Sequence, residues 1–445
     1  MGGSAFSAGD RPLHTPRMPK PVYEQVKRRC MAILRESFSC VACPIEGPGK
    51  QDFGDIDILV AWPKKDITST RDSLRAMGEA LGAARIIINE AASSNLALPW
   101  PRSPATELDS TNADGDESQE KYIQVDLRIC KTLEEMQWML FKHAHGDIWN
   151  ILGSTIRPYG LTVDDGAMWL RVPEIENTNR NRAKVFLTSE PAKVLSFLGL
   201  PIGGYWDRPF ESLDAMFEYA ARCRMMYVPP RDPSSSSNDG GGGGADDEPP
   251  ASSSTGGRQA AAEEDRRRLK SNDRRRMKGR PAFRAWIDDF IPACRQAGRF
   301  SDAPPRTTRE RITEEALDAF RARDEFDARR DAFLQDRQRE TIWNTLIKGA
   351  APEPDRATAT GAAVTYRACL VKALKRIVLE GDDSYGVRYE HAFRDDRGFW
   401  RFDRVVDFID RYKDRVGEAA YERQHGRYME HLKAKKLKAE GGQRS

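Results

Sequence analysis

Residues 47–60 read Gly47-Pro-Gly-Lys-Gln-Asp-Phe-Gly-Asp-Ile-Asp-Ile-Leu-Val60. A Gly-Pro-Gly turn runs into an apolar stretch, and two carboxylates, Asp55 and Asp57, stand two apart just inside it. In a strand, residues i and i+2 point to one face. Asp55 and Asp57 therefore project side by side, with Ile56, Ile58 and Val60 turned the other way. Like charges held that close are costly unless something positive lies between them. A divalent metal pair carrying a phosphorylated substrate meets that need.

A third acid stands in Lys121-Tyr-Ile-Gln-Val-Asp-Leu-Arg-Ile129, a second alternating stretch. Val125 and Leu127 face one side, Gln124 and Asp126 the other. Taken alone, Asp126 reads equally well as an exposed residue paired with Arg128. If the two strands pair, it joins Asp55 and Asp57 on one sheet face. Three converging carboxylates serve no purpose in an apolar core, but they can hold two magnesium ions (or manganese) at about 3.5–4 Å separation. Such a pair activates a hydroxyl nucleophile and neutralises a departing pyrophosphate.

The chain has 445 residues, 39% hydrophobic and 31% charged, with a net charge of +3. That length suits two or three domains of a soluble, polar protein. The near-zero balance says little about partners, so local charge carries the argument. No apolar run approaches the roughly 18–20 residues of a membrane span. The N-terminal stretch has no apolar core of the secretory kind. Seven scattered cysteines, with one isolated Cys40-x-x-Cys43 pair, read as free thiols of an intracellular protein, nuclear or cytoplasmic.

Residues 1–19 are small and Gly/Pro-rich, and are expected to be disordered. Helices are predicted at 21–38, 70–82 and 132–153, with short strands at 41–45, 55–62, 84–88 and 121–129. Residues 98–119 read as an inserted acidic loop. A hairpin is expected over 161–171 around Asp165-Gly166, then a helix capped by Ser189 and ending near Gly199. Residues 229–265 form a Gly/Ser/Pro-rich linker, leading into a basic run to Arg280. From 281 the pattern is helical: 282–296, a long charged helix 307–348, 362–380 and 400–436, with a tail over 437–445. Trp286, Trp343 and Trp400 fit an apolar core better than a base-stacking platform.

The string Gly49-Lys-Gln-Asp-Phe-Gly-Asp-Ile-Asp-Ile-Leu-Val60 resembles the metal-binding strand of the X-family, polymerase-beta-like DNA polymerases. Gln124-Val-Asp-Leu-Arg128 resembles that family's third-carboxylate strand. Gly146-Asp-Ile-Trp-Asn150, Tyr159–Gly166 and Glu190–Pro201 resemble its nucleotide-bordering segment, following hairpin and thumb helix. The resemblance spans about residues 21–210, under half the chain. It implies an α+β nucleotidyltransferase palm (20–160) with a small thumb (161–228); the linker and basic run (229–280) and the separate all-α domain (281–436) are read from composition and periodicity, and that helical domain has no counterpart in the family. Asp55 and Asp57 would hold both metals, and Asp126 would hold the catalytic one beside the attacking 3′-hydroxyl. Gly49, Lys50 and Gly54 would shape the turn near the triphosphate. Asp147 and Asn150, with the neighbouring His143, His145 and Gly146, would border the nucleotide.

The sequence also departs from that family. Where the family has Gly-Ser and then arginines that grip triphosphate, Pro44-Ile-Glu-Gly-Pro-Gly49 stands here; Glu46 carries the opposite charge, and Lys50 is the nearby cation. His143-Ala-His-Gly146 replaces an aromatic and a Thr-Gly turn at the sugar, which implies relaxed discrimination against a ribose 2′-hydroxyl. His143 and His145 can also be read as a metal pair, though no further ligand lies near them in sequence. About twenty residues precede the first palm helix, too few for the family's lyase domain. Arg266, Arg267, Arg268, Arg274, Arg275 and Arg276 are candidate phosphate-neutralising residues, or equally a solvated linker or localisation signal.

The expected reaction is two-metal transfer of a nucleoside monophosphate from a ribo- or deoxyribonucleoside triphosphate to a hydroxyl, most readily a nucleic-acid 3′ end. The competing expectations are a catalytically silent palm used as a binding module, and an RNA or tRNA nucleotidyltransferase. Nothing in the sequence fixes the oligomeric state.

Overall fold

The computed structural model describes residues 3–8, 11–66, 69–89, 92–101, 120–230, 266, 269, 271–302, 307–353 and 360–441. The acidic stretch 102–119, Arg267, Arg268 and nearly all of the 229–265 linker lie outside the described residues. The chain divides into two compact units, Met1–Arg171 with Lys184–Ala322, and Val172–Ala183 with Arg323–Ser445.

The first unit opens with strand β1 (Met18–Pro19) and helix α1 (Lys20–Ser37), whose Tyr23, Val26, Cys30 and Leu34 make one buried stripe. Strands β2 (Phe38–Ala42), β3 (Asp52–Phe53) and β4 (Asp55–Pro63) follow, then helix α2 (Thr70–Ala80). Strands β5 (Arg85–Asn89), β6 (Ser93–Pro99) and β7 (Tyr122–Ile129) complete a five-stranded mixed sheet ordered β2-β4-β7-β6-β5. β4 and β7 are parallel, and the other neighbours are antiparallel. Strand β6 takes in Leu98 and Pro99, which the sequence assigned to the acidic loop; Leu98 pairs with Ile123 and is buried.

Alternation along β4 gives it two different faces. Ile56, Ile58 and Val60 are fully buried with Val125, Leu127, Leu96 and the α1 stripe. On the opposite face Leu59 and Ala61 pack with Met136 and Met139 of helix α3 (Leu133–His143). Asp55 and Asp57 occupy the same face one and two steps earlier, before that apolar patch begins.

The single helix expected over 132–153 is broken into α3 and α4 (Ile148–Ile156). His145 and Gly146 adopt φ of 57° and 63°, which no α-helix accommodates. His145 N bonds Ile45 O at 2.7 Å instead of a carbonyl one turn back. Strands β8 (Leu161–Val163) and β9 (Met168–Arg171) form the expected hairpin, joined by β10 (Lys184–Thr188). The short helix α5 (Pro173–Glu176) lies in the segment between β9 and β10 that belongs to the second unit. Helix α6 (Pro191–Leu198) ends at Gly199 with φ 74°, but its N-cap position is Glu190; Ser189 makes no cap. Thr188 Oγ1 accepts from Glu190 N instead. Helix α7 (Leu213–Ala221) completes this region.

Three sequence expectations are corrected. Residues 3–8 and 11–19 are placed on the first unit: Phe6 is 1% exposed, Ala5 N donates to Gln124 Oε1 at 3.0 Å, and β1 pairs with β3. Backbone hydrogen bonds and two buried apolar side chains anchor a segment whose small-residue composition suggested disorder. Next, the boundary expected at 281 falls at 323. Residues 271–296 form helices whose Trp286 stacks on Phe290 and meets Phe217 of α7 edge-on, so this part belongs to the first unit's core. Finally, the helix expected over 307–348 breaks at Arg321, φ 53°, where Ala322 N closes onto Leu317 O. Within the second unit, Gly361–Glu380 packs on Phe402–Gly441, which runs through the 437–441 part of the expected tail, around Ile342, Leu374, Trp400 and Phe408.

None of the seven cysteines is in a disulfide. No helix among the described residues is long and apolar enough to cross a membrane.

Candidate active site

The register of the central pair sets the site. β4 and β7 run parallel with Asp57 opposite Asp126 and Asp55 opposite Gln124. β6 places Asn95 opposite Asp126. Residues in register on adjacent strands share a face, so Asp57, Asp126 and Asn95 form one row across the sheet, with Asp55 and Gln124 in the next.

The electrostatics are those of acids drawn out of water and crowded together. Asp57 is pushed up to about 7, first by desolvation from the surrounding protein, then by the charges of Asp55 and Asp126. Water still reaches its carboxylate, so the group is crowded rather than sealed in. Burial also raises Asp55 and Asp126; Lys50 pulls Asp55 back, and two hydrogen bonds pull Asp126 back. No hydrogen bond holds the Asp55 or Asp57 carboxylate among the described residues. Asp126 Oδ1 accepts from Asn95 Nδ2 at 2.6 Å and Gln124 Nε2 at 2.8 Å. Gln124 is itself oriented, since its carbonyl accepts from Ala5 N. Asn95 and Gln124 are functional candidates that the sequence reading missed. The signal lay in the alternation: Gln124 shares the face of Asp126.

Among the described residues, no three acidic, His or Cys side chains converge closely enough to ligate one ion as they stand. The donor set nonetheless fits hard divalent cations. Among the described residues Asp55 and Asp57 are unengaged carboxylates and Asp126 keeps Oδ2 free, and all three have proton affinities raised first by burial and then by neighbouring acidic charge.

The loop before β4 is less open than its motif implied. Gly49 has φ 67°, which only glycine adopts without strain. Lys50 Nζ is 2.8 Å from Glu46 Oε2 and lies over the Phe53 ring. Glu46 Oε1 accepts from Tyr23 OH, and Tyr23 stacks on Phe53. The cation nearest the expected triphosphate position is thus already paired. Gly54 is buried, and a Cβ on Gly3 would meet its carbonyl oxygen at 2.5 Å, so the N-terminal segment covers that side of the turn.

Gly146 approaches the loop closely: a Cβ there would lie 3.4 Å from Gly47 Cα. His143 is exposed. His145 is 0% exposed, with Nε2 2.7 Å from Tyr205 O and its ring against Tyr205 and Phe210. It is a core residue, which corrects its assignment to nucleotide contact and removes the His143/His145 metal pair. Burial lowers its basicity. Asp147 and Asn150 are joined, Asn150 Nδ2 donating to Asp147 Oδ1, but Arg280 Nη1 also donates there at 2.6 Å.

Half of the cations in the described part of the basic run are committed to protein contacts. Arg266 pairs with Asp288; Arg276 and Arg157 both pair with Asp273, which is 7% exposed. Arg274 and Arg275 stand exposed on the helix Ser271–Gly279.

No protein-family model matches the chain, and no curated protein matches it.

Proposed function

We propose that the chain is a two-metal nucleotidyltransferase with a polymerase-beta-like palm, transferring a nucleoside monophosphate from a nucleoside triphosphate to a hydroxyl. The observation that carries this reading is the in-register, parallel placement of Asp57 beside Asp126 with Asp55 on the same face. A folded protein gains nothing from clustering three under-neutralised acids unless a cation joins them.

Asp55 and Asp57 would hold both magnesium ions, and Asp126 would share one of them. When bound, the ions would supply charge neutralisation for the pyrophosphate and activation of the acceptor hydroxyl. Asn95 and Gln124 fix Asp126 through Oδ1 and leave Oδ2 without a hydrogen bond among the described residues. Asp126 would then lie beside the attacking oxygen. A nucleic-acid 3′ end is the acceptor this arrangement suits, with DNA and RNA, tRNA included, as the alternatives.

The test is magnesium-dependent incorporation of labelled triphosphates on DNA and RNA acceptors. Asp57→Ala and Asp126→Ala should each abolish it; undiminished activity in either variant would overturn the mechanism.

One observation favours a catalytically silent palm that serves as a binding module: Glu46 neutralises Lys50. Magnesium with a triphosphate should raise the melting temperature of an active palm and leave a silent one unmoved.

A further inference from the structure

The segment that precedes β1 lies across the end of the sheet where the carboxylates stand. Gly3 rests on Gly54: its φ is 85°, and a Cβ there would meet Gly54 O at 2.5 Å. Ala5 N donates to Gln124 Oε1 at 3.0 Å. Gly54 precedes Asp55, and Gln124 is the register partner of Asp55 on β7. Residues 3–5 therefore bridge β4 and β7 at the Asp55–Gln124 row, one row from Asp57 and Asp126.

This strap is fastened along its length. Phe6 is 1% exposed, and its carbonyl accepts from Leu13 N at 2.9 Å. Thr15 Oγ1 donates to Gly3 O at 2.6 Å, and His14 O accepts from Tyr122 N at 2.8 Å. Arg17 adds an ion pair to Asp52 at 2.7 Å, exposed and therefore of small worth. One buried ring and a handful of backbone bonds carry the attachment. A segment held this way opens at less than the free energy of global unfolding.

The contact with Gln124 determines how Asp126 is held. A backbone N–H can only donate, so Gln124 must present Oε1 to Ala5 and Nε2 to Asp126 Oδ1, 2.8 Å away. Gln124 is 4% exposed, so water does little to orient its amide. With Ala5 withdrawn, no other hydrogen bond among the described residues selects that orientation, and a turned amide would set oxygen against oxygen. Asn95 holds Oδ1 from the neighbouring strand, and Oδ2 has no hydrogen bond among the described residues. The Ala5 N–H, the Gln124 amide and the Asp126 carboxylate thus form a series that joins the strap to the carboxylate row.

We propose that residues 3–8 are a clamp coupled to divalent-cation binding: docked, the clamp holds Asp126 ready for a cation, and a bound cation holds the clamp down. Ala5, through its backbone N–H, and Gly3 are its positioning residues. The coupling is reciprocal, because two events that favour the same arrangement of Asp126 favour each other. The inference rests on the two-metal reading for its cation, and adds a control on that site which the carboxylates alone do not contain.

The experiment uses the full chain, with Mn²⁺ as the probe and two measurements. Electron paramagnetic resonance gives the Mn²⁺ affinity, and hydrogen–deuterium mass spectrometry gives amide exchange over residues 3–8 with and without Mn²⁺. In wild type, Mn²⁺ should slow that exchange by about 5- to 20-fold, and Asp126→Asn should abolish the slowing. Ala5→Pro removes the N–H, and Gly3→Val drives a Cβ into Gly54 O. Each should weaken Mn²⁺ binding by about the same factor, with the melting temperature showing that it folds. The conservative Ala5→Gly keeps the N–H and should recover the wild-type affinity. The exchange measurement on wild type needs no variant at all. Exchange unmoved by bound Mn²⁺, or wild-type affinity in both strap variants, overturns the clamp and leaves the two-metal reading standing. If wild type binds no Mn²⁺, the two-metal reading fails and the clamp fails with it.

Discussion

Replacing Asp57 with Asn should make the metal-free protein more stable while removing its response to metal. Register-paired side chains on adjacent strands start about 4.8 Å apart, and residues two apart on a strand about 6.7 Å. At an effective dielectric near 20, each such pair of full charges repels by about 2.5–3.5 kcal/mol. Solvent reaches Asp57, so screening reduces the combined effect on stability to about 1–2 kcal/mol. Asp57→Asn keeps the shape and deletes the charge, and should raise the melting temperature by about 2–6 °C at pH 8.5. The pH dependence has a definite sign. The folded-state value is raised to about 7 from 3.8, so the proton-bound form favours the native state. That stabilisation is complete below about pH 4 and is lost as pH rises through 7. The gain from Asp57→Asn should therefore shrink toward zero by pH 4.5. Differential scanning calorimetry at both pH values, without metal and then with magnesium and an α,β-methylene triphosphate, makes the comparison. Wild type should be stabilised by the ligands at pH 8.5 and the variant should not. A variant that melts lower at pH 8.5, or gains equally at both pH values, would refute the crowding argument.

Glu46→Gln should free Lys50 while keeping an acceptor for Tyr23, and tighten triphosphate binding several-fold by equilibrium titration; unchanged affinity would remove Lys50 from the site. Gln124→Ala should lower the rate of transfer with little change in triphosphate affinity, because it loosens Asp126 rather than a substrate contact; a purely structural role would instead show as a lower melting temperature with normal kinetics. Gly78→Val should destabilise the first unit by about 1–3 kcal/mol in urea unfolding, since even a Cβ would meet Ile86 Cδ1 at 2.5 Å and Leu96 Cδ2 at 3.0 Å. His145→Ala should cost about 2–4 kcal/mol by the same measurement, as expected of a filled core position, and leave residual activity in the folded fraction.

The legible part of this molecule was the part governed by period-two alternation. Ile56, Ile58 and Val60 against Asp55 and Asp57 determined which face of β4 was core, and the same rule put Asp126 with Gln124. Pairing partners are not written in alternation, so Asn95, delivered from β6, could not be read from its neighbours in sequence. The break between α3 and α4 was hidden because His145, a residue with ordinary helical tolerance, takes a left-handed conformation enforced by Ile45 and Tyr205. The boundary at 323 was hidden for a different reason. An amphipathic helix announces that it has an apolar face, but not which core receives it, and Trp286 found Phe217 rather than the helices downstream. The N-terminal segment was missed because its attachment uses backbone groups, such as Ala5 N, that composition does not report.

The alternation on β4 and β7 has a consequence for folding fidelity. If either strand shifted by one residue, its carboxylates would enter the layer occupied by Ile58, Val125 and Leu127. Each uncompensated acid there would cost several kcal/mol. The same side chains that weaken the correct sheet thus make the misregistered one far worse. The carboxylate row acts as a proofreading device for strand assembly before any substrate arrives.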